Sequence, residues 1–577
     1  MKHRIARITM VTRKIASKTL LIWGPQSAYN RDWGYNILFL IILSMISAPA
    51  HADCNITDSS RLEATGKTTL AIHPLFVSQQ PEMVSGFRSD RNQTRENGRG
   101  GAFQAVLFGS RTTNGDDLAR YFFFDGKESL TVAEVGPVAG EAGFGKQDLL
   151  AQDFNIFTVD GNFESVIRTS PQQSVIGLGL HSRHSFWKNH DSERGFWLSV
   201  STSIQHIKND MNLCEFVIND GGGVNEAANE VVVANMTEAF AQPAWCFGKI
   251  CANSSMKKTR LADIEFKVGY EWLQHEPAHM ESYIGLIIPT GNRNEGEFVF
   301  EPIIGRGKYV GLMFGSCLGL EIWNSADGDK NIRYELANHT EILFRRDQKR
   351  SFDLKYRPWS RYLPVYATEE QAEEAFELLA TDPLHAQNMS TPGINVFTQE
   401  VQVTPGLTHD INTAFVFTCR RFQAEVGYNF LAKRAEKVEL DCPWRPVVAL
   451  KHFLGAGQTN PIRTINGNPY YEQIVSSINP DQVPPTPDTT PPTPALLLIP
   501  VQLADYETAV INATDLDLNS AATPAILTNT LYGTLGFHLY EREYPLFGNV
   551  GGSYTFSKNN DAVPRRWVIW AKMGLSF

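Results

Sequence analysis

The chain is 577 residues long, with 52 Lys and Arg against 62 Asp and Glu, a formal net charge of −10 at pH 7 and 42% hydrophobic residues. This acidic balance argues against nucleic acid as a partner. The seven cysteines are scattered without metal-type spacing, which argues against a zinc-ribbon or disulfide-dense scaffold.

From the amino terminus, residues 37–43 form an unbroken apolar run, and 44–52 close on Ala50-His51-Ala52. An apolar stretch before an A-x-A site predicts a secretory signal peptide over 1–52, with an unusually long n-region and a mature start at Asp53. The run is well short of the ~20 residues of a spanning helix. His51 stands where a lipid-anchor motif at Cys54 would need Leu. No later segment is a transmembrane-helix candidate. Without 1–52 the balance is 45 basic against 61 acidic residues, a formal charge of about −16.

Residues 53–160 lack sustained alternation and are polar from Arg88 to Arg99, before Gly100 and Gly101. They are expected to form an N-terminal extension, a lumen plug, or a first strand with a long loop. From 161 to 577 apolar and polar residues alternate with the period of two that marks strands. Thirteen segments qualify: 163–169, 174–185, 195–208, 261–272, 280–290, 308–323, 331–345, 351–357, 411–419, 422–430, 527–540, 546–556 and 566–577. Segment 103–108 is a further candidate, and even-numbered closure leaves 12 or 14 strands. Aromatic residues such as Tyr270, Trp272, Trp323 and Trp567 gather near strand ends, as in a membrane barrel rather than a soluble sandwich.

Counting back from the carboxyl end with short turns periplasmic puts the insertions 360–410 and 431–526 outside and 209–260 on the periplasmic side. Short helices are expected in loops over 225–240 and 369–379, and 481–500, rich in Pro and Thr, reads as an extended surface-loop segment. Cys246 and Cys251 are close enough for a local disulfide.

His275-Glu276-Pro277-Ala278-His279 matches the H-E-x-x-H zinc motif, which requires both histidines on one helical face. Pro277 and the flanking alternation favour a hairpin turn instead. D-x-D-x-N spacings at Asp327 and Asp515 lack the remaining features of a calcium loop and read as polar turns. No catalytic residue, resident metal or cofactor is assigned.

At the carboxyl end, Trp567, Ile569, Ala571, Met573, Leu575 and Phe577 lie on one strand face, opposite Trp570, Lys572, Gly574 and Ser576. A closing strand of this kind, ending on Phe, resembles that of Gram-negative outer-membrane β-barrels. The resemblance implies an all-β fold, a transmembrane antiparallel up-and-down barrel of 12–14 strands, located in the cell outer membrane. It also implies that Trp567, Ile569, Met573, Leu575 and Phe577 form an insertion signal read by the barrel-insertion machinery.

With apolar side chains facing lipid, the lumen lining is expected to hold Asp263, Glu265, Lys267, Glu271, Arg333, Glu335, His339, Glu341, Arg345, Asp353, Lys355, Arg357, Glu425 and Lys572. Such a mixed-sign lining suits a porin-like channel for passive diffusion of small hydrophilic solutes. The alternatives are a plugged barrel displaying extracellular loops for adhesion or scaffolding, and an outer-membrane hydrolase. Outer-membrane lipid, the insertion machinery and small solutes are the expected partners, with homo-oligomerisation left open.

Overall fold

The computed structural model describes residues 66–85, 100–134, 147–189, 194–227, 231–275, 277–355, 358–366, 368–378, 388–444, 450–451, 462–463, 511–539, 541–557 and 561–577. Twelve antiparallel strands, each paired with its neighbours in sequence, close into a barrel: β1 (Gly100–Thr112), β2 (Gln172–Lys188), β3 (Gly195–Asp210), β4 (Ile264–His275), β5 (Ala278–Ile288), β6 (Gly311–Asn324), β7 (Lys330–Leu343), β8 (Thr408–Cys419), β9 (Phe422–Lys433), β10 (Ile526–Leu539), β11 (Leu546–Phe556) and β12 (Arg566–Ser576). The seam is the β12–β1 pair, in register from Ala102 opposite Ser576 to Thr112 opposite Arg566. It ends on two backbone hydrogen bonds, Gly101 N–H to Phe577 O at 2.7 Å and Phe577 N–H to Gly101 O at 2.8 Å.

Alternation places an apolar side chain outward at every second position. Leu107, Ile176, Ile284, Val426 and Met573 are each more than half exposed. In water this band would be a large unpaired apolar surface, whereas in lipid it is the required outer face. An aromatic belt runs round the short-turn end, where Phe196 packs between Trp187 and Tyr270, and Tyr270 meets Trp272 at 4.7 Å between ring centroids. Trp567, Ile569, Met573 and Leu575 all stand on the outward phase, and Phe577 packs against His184 at the seam.

Five tight hairpins occupy one end of the barrel and six longer connections the other. The longer connections fold over their mouth into a cap with its own core, including Phe122, Phe154, Phe240, Phe300, Trp359 and Phe397. Small sheets stiffen it. One joins Ser129–Ala133, Leu149–Leu150, Glu164–Arg168 and Cys214–Asn219, and another joins Arg346–Ser351, Thr398–Thr404 and Lys437–Leu440.

Several sequence expectations are corrected here. Residues 351–357 are not a wall strand. Phe352 and Leu354 alternate because they are buried in the cap core, not because they face lipid. Segment 163–169 likewise belongs to the cap, and β1, from Gly100, takes its place in the wall. Removing one wall strand after 209–260 reverses the polarity of everything before it. Residues 211–263 therefore lie with the other long connections, not on the opposite side. Cys246 and Cys251 carry free thiols and form no disulfide. Among the described residues of 225–240 the helix is Met236–Ala239, while Glu369–Leu378 is helical. Residues 1–52 and 481–500 lie outside the described residues.

Candidate functional site: a lumen occupied by the protein's own chain

The lumen is filled by residues 66–85, a strap that starts within the cap and descends between the strands. At its upper end Lys67 donates to Asn519 O at 2.7 Å, and Gly66 O accepts from Arg361 at 2.6 Å. Arg361 is itself fully buried and paired with both carboxylate oxygens of Asp353. Burial pushes the Lys67 ammonium down to about 8, outweighing the opposing pull of the Asp517 carboxylate.

Lower down, the strap has little regular structure, so its backbone carbonyls need partners. The wall supplies them. Arg566 donates to His73 O at 3.3 Å, Gln205 to Leu75 O at 3.4 Å and Asn412 to Gln79 O at 3.0 Å. Lys572 Nζ donates to Met83 O and Ser85 O, both at 2.7 Å, and Asn549 to Ser85 O at 3.1 Å. Leu75, Phe76 and Met83 join Val106, Phe108, Tyr532 and Trp570 in an apolar cluster inside the lumen. Phe76 stacks on Phe108 with ring centroids 6.1 Å apart. The adjacent strand β2 offers Gly179, where any Cβ would lie 2.0 Å from the Phe76 ring. Phe76 also has φ 60°, and its N–H is held by Glu82 Oε1 at 2.7 Å, so the strap is clamped to itself as well as to the wall.

The lumen charges pair with one another and with the strap. Arg306, on the β5–β6 connection, reaches down to Glu341 (Nε to Oε2, 2.9 Å) and Glu265 (Nη2 to Oε1, 2.7 Å), while its backbone N–H binds Asp263 at 2.7 Å. Lys267 lies 3.2 Å from Glu265, which also accepts from Ser78 of the strap at 2.9 Å. His339 lies 2.9 Å from Glu341. Nearer the short-turn mouth, Arg183 stands over the Trp197 ring and binds Glu271 and Glu281, both at 2.8 Å. Each of these groups is nearly inaccessible to solvent, and such charges are tolerated only when neutralised and hydrogen-bonded.

Of the expected lining residues, Asp263, Glu265, Lys267, Glu271, Glu335, His339, Glu341, Glu425 and Lys572 are buried inside, and Arg333 shares their phase while remaining half-buried. Arg345 is exposed beyond the end of β7, so it is not lumen-lining. Asp353 lies in the cap core against Arg361, and Lys355 is exposed in the cap. Both were misplaced with the false strand. Arg357 lies outside the described residues. Sequence reasoning missed Arg183, Glu281 and Arg306. The first two follow from the inward phase of β2 and β5, whereas Arg306 is on a loop and carries no periodic signal.

No family model matches the sequence, nor does any curated protein. Among solved structures, the transport unit of the autotransporter AIDA-I from Escherichia coli is similar over 85% of this chain and 93% of its own, at 7% identity and a TM-score of 0.31. A Pseudomonas aeruginosa FadL homologue is similar over 83% and 90%, at 9% identity and a TM-score of 0.24. The Pseudomonas putida toluene transporter TodX is similar over 90% and 96%, at 8% identity and a TM-score of 0.24. At such scores the likeness carries no argument about function. The strand pairing itself defines the class: this is a transmembrane β-barrel of the outer-membrane type, closed by twelve strands.

Proposed function

We propose that this protein is a plugged outer-membrane barrel that displays its folded cap at the cell surface, rather than an open diffusion pore. One observation carries this reading: the strap 66–85 occupies the lumen and its carbonyls are bound by inward side chains of the wall. A water-filled pore would leave its lining charges hydrated, yet here they are buried in mutual pairs. Passive diffusion of small hydrophilic solutes would first require the strap to leave. The cap then provides the surface for adhesion or scaffolding, and the terminal strand remains the proposed signal for the insertion machinery. The H-E-x-x-H sequence spans the tight β4–β5 hairpin, with Ala278 opposite His275, so its two histidines do not share a helical face as a metallohydrolase of that type needs.

Planar-bilayer recording of the refolded chain tests the proposal. The intact protein should be electrically silent, and deletion of 67–85 should produce stepwise conductance. Steady conductance from the intact protein, unchanged by the deletion, would restore the porin reading.

A further inference from the structure

We propose that His279, Cys317 and Glu335 form a zinc-binding site on the inner wall near the short-turn mouth. The three residues come from the adjacent strands β5, β6 and β7, all on the inward phase. His279 pairs with Gly319 and Gly319 with Glu335, so the histidine and the carboxylate stand at one level with a glycine between them. Cys317 is two residues further along β6, on the same face. His279 Nε2 lies 3.8 Å from Cys317 Sγ and 3.8 Å from Glu335 Oε2, and the three ligand atoms lie within 4.8 Å of one another. Zinc bonds of about 2.0–2.3 Å at tetrahedral angles would set such pairs about 3.3–3.6 Å apart, so the two His279 pairs need shifts of only a few tenths of an ångström and the Cys317–Glu335 pair a shift of at most about 1 Å.

Gly319 keeps the space open. A Cβ there would lie 2.0 Å from His279 Cε1 and 2.7 Å from Glu335 Oε2. The charge also balances: a thiolate, a carboxylate and a neutral imidazole cancel a dication, which suits a wall with little solvent. The thiol proton leaves to solvent on binding. A nitrogen, sulfur and oxygen set is one that zinc accepts and that calcium or magnesium does not favour. A water would complete the fourth position. The second histidine of the H-E-x-x-H sequence thus becomes a ligand through neighbouring strands rather than through a helix.

The test uses the full chain refolded in detergent, loaded with zinc or cobalt and freed of excess metal by gel filtration. One zinc per chain should be retained, and the cobalt form should show a thiolate-to-metal charge-transfer band. Retention should fall to near zero in His279→Ala and Cys317→Ser. Gly319→Ala, which keeps all three ligands and fills the space, should lower it as well. Heat-modifiable electrophoretic migration reports whether each variant has folded, with Glu335→Gln standing in for one that has not. No retained metal, no charge-transfer band in the intact protein, or retention unaffected by Cys317→Ser would each overturn the proposal.

Discussion

Phe76 adopts a left-handed backbone, φ 60°, which is unusual for a bulky side chain and costs on the order of 1–3 kcal/mol. The surroundings impose it: the ring is held between Phe108 and the bare backbone of Gly179, and the N–H is fixed by Glu82. Gly179→Ala would place a methyl inside the ring's position. Overfilling of this kind costs about 1–3 kcal/mol, and here the simplest relief is to unseat Phe76. The variant should lose its heat-modified mobility at a lower temperature and show intermittent conductance where the parent is silent. If both properties match the parent, Gly179 does not secure the strap.

The strap is also tied at its upper end, and there the bond depends on pH. Lys67 is buried with its titration pushed down to about 8, whereas in the unfolded chain it keeps its ordinary value of 10.5. Between these values the unfolded state binds more protons, so stability rises with pH from about 8 to about 10.5. Below 8 both states are charged, and the full penalty of burying the ammonium is present. Lys67→Met should flatten that alkaline rise in denaturant titrations. An unchanged pH profile would remove Lys67 from the account. Elements differed sharply in how legible they were. All wall strands but β1 announced themselves, since each needs an apolar outer face against lipid, whereas β1 was legible only over 103–108. The strap gave no such signal, because its Leu75, Phe76 and Met83 fill gaps between strands rather than repeating along one face. The cap misled for the opposite reason: Phe352 and Leu354 mimic a lipid-facing pair while filling a soluble-type core. Gly319 was readable as an inward position on β6, but not as the space between His279 and Glu335, which exists only once three strands are in register.

For the whole molecule, the division of connections by length sets its orientation. All the longer connections, and the cap they build, share one mouth, with tight hairpins at the other. An epitope inserted at Gly222, in an exposed turn of the cap, should be labelled on intact cells. One inserted at Gly328, in the β6–β7 hairpin, should be labelled only after permeabilisation. The opposite pattern would invert the proposed display of the cap. The path of the chain has a further consequence. Gly66 is bound in the cap at one mouth, and Gly100 begins β1 at the other, so the polypeptide is a thread through a ring. That ring is shut along the whole β12–β1 seam, down to the pairing of Phe577 with Gly101. Once it is shut the thread cannot leave sideways, only end-on or by reopening the clasp. Assembly therefore has a favoured order, with the thread laid in place before the last strand meets the first. How long the lumen stays blocked is then set by two escape routes, the opening of that seam and the end-on slipping of the thread, and contacts such as that of Phe76 with Gly179 govern the second.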